Sequence, residues 1–558
     1  MSQSNANSTR RLASSLLLGT ALAVWSSPAL AQAEPPAGTI PGINDSGGAV
    51  INDDAAIAPA DNAFNRRYEI DIDGDNRILT FDTYDVGADV LVDYINLGAA
   101  GQFTAVNNIT GGNPSDIYGL IRSESNIDIW LINPDGITFG ATGGFSGASL
   151  LVSTLSFDGS DADLLAELAD PPPGVSATFE RTNGNLQTDQ LRRVFVQEGA
   201  TLNSATGNMV LIGERITVNG TLTADDGSVV MVGAREVSFT DVGSPLSFTI
   251  VEGVRVNETN AGISIRGDVE GNSVVAAAGG FKNGMATVME TVLNIRNNAT
   301  LTATAVNGTV VLATETVATS ATDTATIMNP ASVEVALEID GPGDGADTRT
   351  LVSEQGGITI ASDHDITITD AVFDAAGVVA IQAATALTAS DTTILTPDDV
   401  MLTADTLSFA ADSTAIGSMA QRAGTVTVDA NGAFTVGDVT ANVFETAATA
   451  GIVTGSDFTL GTIDTTAALD LDASGDVTFA GLVSGGNVDV TSTGGDILGD
   501  GDVTTTMAVT LSADDISVGD VSGDSSVSAQ AATGDLTFGS LTSDGAVTAT
   551  ALNGDILG

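Results

Sequence analysis

Short apolar runs rich in Val, Ile and Leu alternate along this chain with corners made of Gly, Asn and Asp. Residues 207–216 (GNMVLIGERI) and 227–237 (GSVVMVGAREV) match at an offset of 20, and residues 308–317 (GTVVLATETV) repeat the same phrase. This period is too short for a repeat of paired helices, and β-branched residues favour strands. A period of 20 residues fits one rung of a β-helix, which consists of three short strands and is stable only when it is stacked on neighbouring rungs. The sequence therefore predicts an all-β fold, a right-handed parallel β-helix with an N-terminal capping domain.

The alternation within these runs predicts which side chains enter the core. Successive side chains of a strand point to opposite faces, so every second residue of a half-buried strand is apolar. On this basis Val210, Ile212, Val230 and Val232 are expected to point inward, each stacked on its counterpart one rung away.

A second phrase recurs toward the C-terminus, in which Asp or Gly precedes an apolar residue, Ser or Thr, another apolar residue and Gly. Its Asp residues follow one another at gaps of 19 or 20: Asp457, Asp476, Asp496, Asp515, Asp535 and Asp555. If the last five stack at one corner, their carboxylates lie about 5 Å apart. Such a ladder of hard oxygen ligands would favour Ca²⁺, the one cofactor that the sequence suggests. The alternative is that Asp beside Gly is simply a good corner residue.

The N-terminus has the organisation of a signal peptide. Arg10 and Arg11 precede an apolar run over residues 12–24, and Ala29 and Ala31 form a small-residue cleavage site. We expect residues 1–31 to be removed, residues 32–64 to be a flexible segment, residues 65–330 to form a secretion domain with the first rungs, and residues 331–558 to form a repetitive acidic β-helix. The chain ends at Gly558 in the middle of the repeat phrase, from which we expect a truncated passenger.

Residues 107–155 contain the most specific motifs of the chain. Two apolar strand candidates, Ile127–Ile132 and Ile137–Phe139, are joined by Asn133, Pro134, Asp135 and Gly136. Pro fixes the first corner of a turn, and Asp and Gly tolerate the conformations that follow. The spacing alone predicts a hairpin.

The same stretch resembles the N-terminal secretion domain of filamentous haemagglutinin-type exoproteins of two-partner secretion. Asn113 and Pro114 stand in the family's GGNPS segment, and residues 133–137 stand on its Asn-Pro-Asn-Gly-Ile motif, with Asp135 in place of the second Asn. Residues 151–155 stand on its LVASTL strand. An upstream Asn-Pro-Asn-Leu motif of other branches is absent from the sequence.

The resemblance implies a partner and a location. The partner is an outer-membrane barrel transporter with periplasmic recognition domains, and the protein is expected outside a Gram-negative cell or on its surface, reached through the periplasm. By family analogy its activity is adhesion to an unknown surface ligand and not catalysis. The alternatives are a carbohydrate-active β-helix enzyme, in which Asp514 is a candidate, and the N-terminal carrier of a contact-dependent toxin.

Composition argues against some classes of partner and of site. The net charge is −54 with a single lysine, Lys282, which argues against nucleic acid as a partner. Hydrophobic content of 43% indicates a folded chain, and the absence of Cys excludes disulfides. The lone His364 lies in a polar corner. Asp71, Asp73 and Asp75 resemble a calcium loop with a misplaced Gly, so two strands around a turn are the simpler interpretation.

Overall fold

The chain folds into rungs of short strands. The computed structural model describes residues 33–98, 101–169, 176–181, 192–255, 262–281, 290–328, 335–339, 348–410, 413–430, 434–446, 452–455 and 457–558. Residues 34–558 form one compact unit. The predicted signal peptide, with Ala29 and Ala31, lies outside the described residues. Within the described part of the chain, no helix has the length and apolar character needed to span a bilayer.

Stacked parallel strands form three sides of this unit, which we call faces 1, 2 and 3. On face 2, the last six strands, from Ile452–Gly455 onward, form a sheet separate from the strands before them. On face 2, Met209 pairs with Val229 and Gly213 with Gly233, so one rung takes 20 residues, as predicted. Face 1 consists of Arg66–Ile72, Val90–Asn96, Leu120–Ser123, Gly144–Gly147, Thr201–Ser204, Thr221–Ala224, Asp268–Gly271, Thr300–Ala303, Arg349–Ser353, Thr414–Ile416 and Val503–Thr505, together with the strands shared between faces.

Face 2 is the longest series of separate strands. It consists of Arg77–Thr83, Phe103–Ile109, Ile127–Ile132, Leu150–Ser153, Met209–Gly213, the first half of Val229–Phe239, Val274–Ala278, Val310–Ala313, Ile358–Ser362, Val379–Ala383, Val400–Ala404, Ala423–Ala430, Ile452–Gly455, Leu469–Ala473, Val488–Ser492, Ala508–Ala513, Ser526–Ala531 and Ala546–Ala551.

Face 3 closes each rung. Its separate strands are Ser115–Ile117, Ile137–Phe139, Val194–Val196, Arg215–Val218, Gly262–Ile265, Glu290–Ile295, Val335–Ile339, Thr406–Phe409, Phe434–Val436, Ile497–Gly499 and Ile556–Leu557. In later rungs one bent strand serves faces 3 and 1: Ile366–Ala375, Ala386–Leu395, Phe458–Thr465, Val477–Ser484, Ile516–Gly523 and Leu536–Thr542. Asp438–Thr446 similarly joins faces 1 and 2. The predicted parallel β-helix is thus confirmed.

One continuous apolar core fills the interior of the rungs, from Tyr68 to Leu536, and Ala49 also belongs to it. Its N-terminal rungs also enclose three of the four tyrosines of the chain, Tyr68, Tyr84 and Tyr94. The hydroxyls of Tyr84 and Tyr94 lie 2.8 Å apart, and Tyr94 donates to Asn107 Oδ1 at 2.6 Å. Burial raises the pKa of Tyr84 and of Tyr94 far above its usual value, so both stay neutral.

A second core covers the outer surface of face 2 in the first rungs. Val210, Ile212, Val230 and Val232 belong to this outer core, whereas Met209, Leu211, Val229 and Met231 line the interior. The predicted inward orientation of those four residues was therefore wrong. All five residues of Met209–Gly213 are buried, so alternation does not reveal which of its sides faces inward.

A largely antiparallel sheet, in which Phe248–Arg255 and Thr324–Ile327 pair in parallel, covers this outer core together with one helix. The sheet contains Ser156–Phe157, Ala177–Glu180, the second half of Val229–Phe239, Phe248–Arg255, Val317–Ala318 and Thr324–Ile327; Gly280–Phe281 pairs with the end of Phe248–Arg255. Helix α1 (Asp161–Ala169) begins with a capping box, in which Asp163 N donates to Ser160 Oγ at 3.2 Å and Ser160 N to Asp163 Oδ2 at 2.9 Å. Leu164 of α1 is buried in the outer core.

The segment 32–64, predicted to be flexible, contains two strands and a short 3₁₀ helix, Pro59–Asp61. Gly42–Asp45 pairs antiparallel with Arg77–Thr83, and Val50–Asn52 pairs with Arg66–Ile72. Both protect the exposed edge of the first rung, where backbone groups would otherwise lack partners. The predicted domain boundaries remain predictions.

Candidate functional site

The turn formed by Asn133, Pro134, Asp135 and Gly136 is a corner of the β-helix. Asp135 N donates to Asn133 Oδ1 at 3.0 Å, and Gly136 N donates to Asn133 O at 3.0 Å. Gly136 has a φ of 119°, a conformation that favours glycine. The strands on either side, Ile127–Ile132 and Ile137–Phe139, pair with neighbouring rungs on faces 2 and 3. The predicted hairpin was therefore wrong, although both strands and the turn exist.

Asn133 joins this corner to the Asn113–Pro114 segment one rung away. Its side chain is fully buried, and its Nδ2 donates to Asn113 O and to Ser115 Oγ, both at 2.9 Å. Ser115 N in turn donates to Gly136 O at 2.9 Å. The structure thus brings together the two segments that the sequence singled out. Both lead into stacked strands of face 3, with Ser115 paired to Ile137.

The next rung adds two arginines that the sequence analysis did not identify. Because Ile137 pairs with Val194, Arg192 and Arg193 occupy the positions of Asp135 and Gly136. Arg192 Nη2 lies 3.5 Å from Asp135 Oδ1, and the Arg193 guanidinium lies 4.1 Å from the centroid of the Phe195 ring. Burial, and then the charge of Arg215, lower the pKa of Arg193. A long insertion separates Asp135 and Gly136 from Arg192 and Arg193 in the sequence, so the sequence does not show that they stack. Only the similar apolar strands that follow them, Ile137–Phe139 and Val194–Val196, could have revealed it.

A pocket of about 300 Å³ opens beside the corner. Its floor is the outer surface of face 2, including Ile78, Val106 and Ile132, and its cover includes Leu164 of α1. Pro134 and Asp135 form one wall. The corner therefore presents a half-buried turn beside a mixed apolar and acidic cavity.

The C-terminal Asp residues form a hydrogen-bonded ladder. The backbone N–H of each donates to Oδ1 of the Asp one rung earlier, from Asp476 on Asp457 through to Asp555 on Asp535, with N–O distances between 2.5 and 3.1 Å. One carboxylate oxygen of each acceptor is thus occupied by a backbone group. Among the described residues no group of three or more His, Cys, Asp or Glu side chains could hold a metal ion. Ca²⁺ binding by Asp476, Asp496, Asp515, Asp535 and Asp555 remains a prediction.

The remaining candidate residues from the sequence lie elsewhere along the chain than the Asn133–Gly136 corner. His364 Nδ1 is 3.0 Å from Asp365 Oδ1 in its turn, and Asp514 N donates to Gly495 O at 3.0 Å. Asp73 and Asp75 both pair with Arg77. The strands around the turn at residues 73–76 lie on faces 1 and 2 and do not pair with each other, so the turn is another corner.

Comparison with known proteins identifies the N-terminal part of the chain. Among solved structures, the chain is similar to the HMW1 secretion domain from Haemophilus influenzae, with 14% identity, a TM-score of 0.42 and coverage of 92% of this chain and 100% of that chain. No curated protein matches the chain. Residues 43–276 match the family model of the TPS secretion domain, and this match decides the assignment. Residues 43–276 therefore form a TPS secretion domain, the N-terminal domain of a two-partner secretion exoprotein.

Proposed function

We propose that a dedicated outer-membrane barrel transporter recognises residues 43–276 through its periplasmic domains and exports the chain to the cell surface or the medium. The family match supports a secreted protein of the two-partner type. The observation that carries the proposal is the interlocked corner, in which the buried Asn133 amide binds both Asn113 O and Ser115 Oγ. One side chain thereby fixes the relative position of both motif segments, as a recognition surface requires.

Once outside, the chain acts as an adhesin or a surface-interaction protein. The matched family describes a secretion domain, which favours an interaction protein over a carbohydrate-active enzyme. The charge of −54 keeps such a protein soluble and disfavours contact with other anionic surfaces. The parallel rungs also suggest an energy source for export, because each rung that stacks outside buries apolar side chains and disfavours return.

Secretion in a Gram-negative host tests the proposal. The full chain is produced with and without its transporter, and its amounts in the medium and in the periplasm are compared. Asn133→Ala removes three hydrogen bonds, the two that its Nδ2 donates and the one that its Oδ1 accepts from Asp135 N, at a cost of about 1–3 kcal/mol. We expect secretion of the native chain only with the transporter, and several-fold less secretion of Asn133→Ala.

Asn126→Ala is the matched control. Asn126 also lies at a corner, where its Nδ2 donates to Gly101 O at 3.0 Å, but it is outside both motif segments. We expect native levels of secretion for this variant. Export of the native chain without any transporter would contradict the proposal.

A further inference from the structure

The pocket beside the Asn133–Gly136 corner is a site that the motifs alone do not explain, and we call it the corner pocket. Elsewhere the outer core is closed by aromatic contacts, such as that between Trp130 and Phe179, whose ring centroids are 5.9 Å apart. At the corner pocket this closure is incomplete, and a volume of about 300 Å³ stays unfilled. Thr110 and Asp161 line the pocket and are exposed, so it opens to the surface.

The shape of the pocket suits a side chain. Apolar residues form its floor and part of its cover, polar atoms make up most of its accessible lining, and its volume is at the low end of the range for ligand sites. That volume accommodates one aromatic or one or two aliphatic side chains. Thr110 directly precedes the Gly-Gly-Asn-Pro sequence, and Pro134 belongs to the corner, so both motif segments border the opening.

The surroundings of the pocket are acidic. Asp135 and Asp161 line it, and the covering segment also carries the exposed Asp158, Asp163 and Glu167. The last turn of α1 contains no basic residue. Arg192 lies at the wall, with its Nη2 3.5 Å from Asp135 Oδ1. A partner that docks here must therefore bring positive charge, because unlike charges across an interface steer binding and like charges oppose it.

We propose that the corner pocket binds a large apolar side chain, flanked by Lys or Arg, on a segment of the transporter's periplasmic domains. This inference rests on the proposed function, since it names the surface by which that partner is recognised. The apolar side chain fills the volume above Val106 and Ile132, and the basic neighbour pairs with Asp161 at the rim. A few buried anchor side chains usually supply most of the affinity of an interface.

Binding of the purified full chain to the detergent-solubilised transporter tests the inference. Thr110→Trp places a large side chain at the exposed rim, where it obstructs the pocket without altering the buried floor. We expect affinity about tenfold lower than native. The matched control is Thr206→Trp at another exposed turn, for which we expect native affinity. Equal affinity of both Trp variants and the native chain would overturn the inference.

Charge supplies a second measurement that does not depend on the Trp variant folding. Asp161→Lys should weaken binding and flatten its dependence on salt, whereas Glu167→Lys on the same helix, away from the pocket lining, should change both less. Identical effects of the two Lys variants would show that general charge, and not the pocket, matters, and would overturn the inference. The proposed function has a separate outcome: if secretion of the native chain requires the transporter but no pocket variant alters binding, the proposed function stands and the inference fails.

Discussion

The first rungs and the last rungs of this β-helix differ in what covers their outer surface. In Met209–Gly213 every residue is buried, because the covering sheet of the outer core lies over its outer side. In Leu469–Ala473 burial alternates, with Leu469 and Leu471 inside and Asp470 and Asp472 outside. The solenoid therefore needs only one apolar side per strand. The additional apolar side is specific to the N-terminal rungs, where its covering layer also creates the corner pocket.

Of the changes predicted below, removal of an aromatic side chain from the outer core should lower the stability of the covered N-terminal rungs the most. Phe179 is fully buried, with ring centroids 5.9 Å from Trp130 and 6.3 Å from Phe239. Phe179→Ala should cost about 3–5 kcal/mol, because it leaves a cavity between the cover and face 2. We expect faster hydrogen exchange in Ile127–Ile132 and Met209–Gly213.

The matched control belongs to the last rungs, where the outer surface faces solvent. Thr478 lies on the outer side of Val477–Ser484, and Thr478→Ala should change stability by no more than about 0.5 kcal/mol. If Phe179→Ala left exchange in the N-terminal strands unchanged, the outer core would not stabilise them.

The Asp ladder should have a smaller effect, confined to the last rungs. Asp476 Oδ1 accepts a hydrogen bond from Asp496 N at 2.9 Å. Asp476→Ala removes this acceptor and should cost about 1 kcal/mol, whereas Asp476→Asn retains an oxygen and should cost less. Denaturant unfolding of both variants measures the difference.

The predicted Ca²⁺ site on the same ladder is tested by comparing the melting temperature of the chain in Ca²⁺ with that in a chelator. A higher melting temperature in Ca²⁺ that is lost in Asp476→Ala would support the prediction.

The smallest expected effect concerns pH at the end of the outer core. Glu315 follows Val310–Ala313 and stands beside Asp363 of the next rung. Burial, and then the charge of Asp363, raise the pKa of Glu315 to about 7. The folded chain thus holds a proton that the unfolded chain releases near its ordinary pKa of 4.5, so this group stabilises the fold at low pH and loses that contribution as pH rises toward 7.

Glu315→Gln should remove this dependence. We expect its melting temperature to exceed that of the native chain at pH 8, by on the order of 1 °C, and to equal it near pH 4. Differential scanning calorimetry at the two pH values measures both. A difference of the same size at pH 4 would mean that packing, and not protonation, is responsible.

The sequence predicted the rung period, the parallel β-helix and the family of the N-terminal domain, because each follows from spacing or from a local motif. It did not predict the orientation of Val210 and Val230, since runs buried on both sides carry no alternation. The sequence predicted a hairpin at Asn133 because Asn, Pro, Asp and Gly suit a hairpin turn as well as a corner of a β-helix. Arg192 was missed because its neighbour in space, Asp135, is separated from it by an insertion.

The Asp ladder gives the stack a direction. Each carboxylate accepts the N–H of the Asp that comes later in the chain, so the acceptor belongs to the rung made first and the donor to the rung that follows. A completed rung therefore presents a carboxylate oxygen that can accept a hydrogen bond from the next rung toward the C-terminus. The growing end of a filament presents a binding site for the next subunit in the same way. Addition in the order in which a chain emerges N-terminus first places every new N–H against a template already in position.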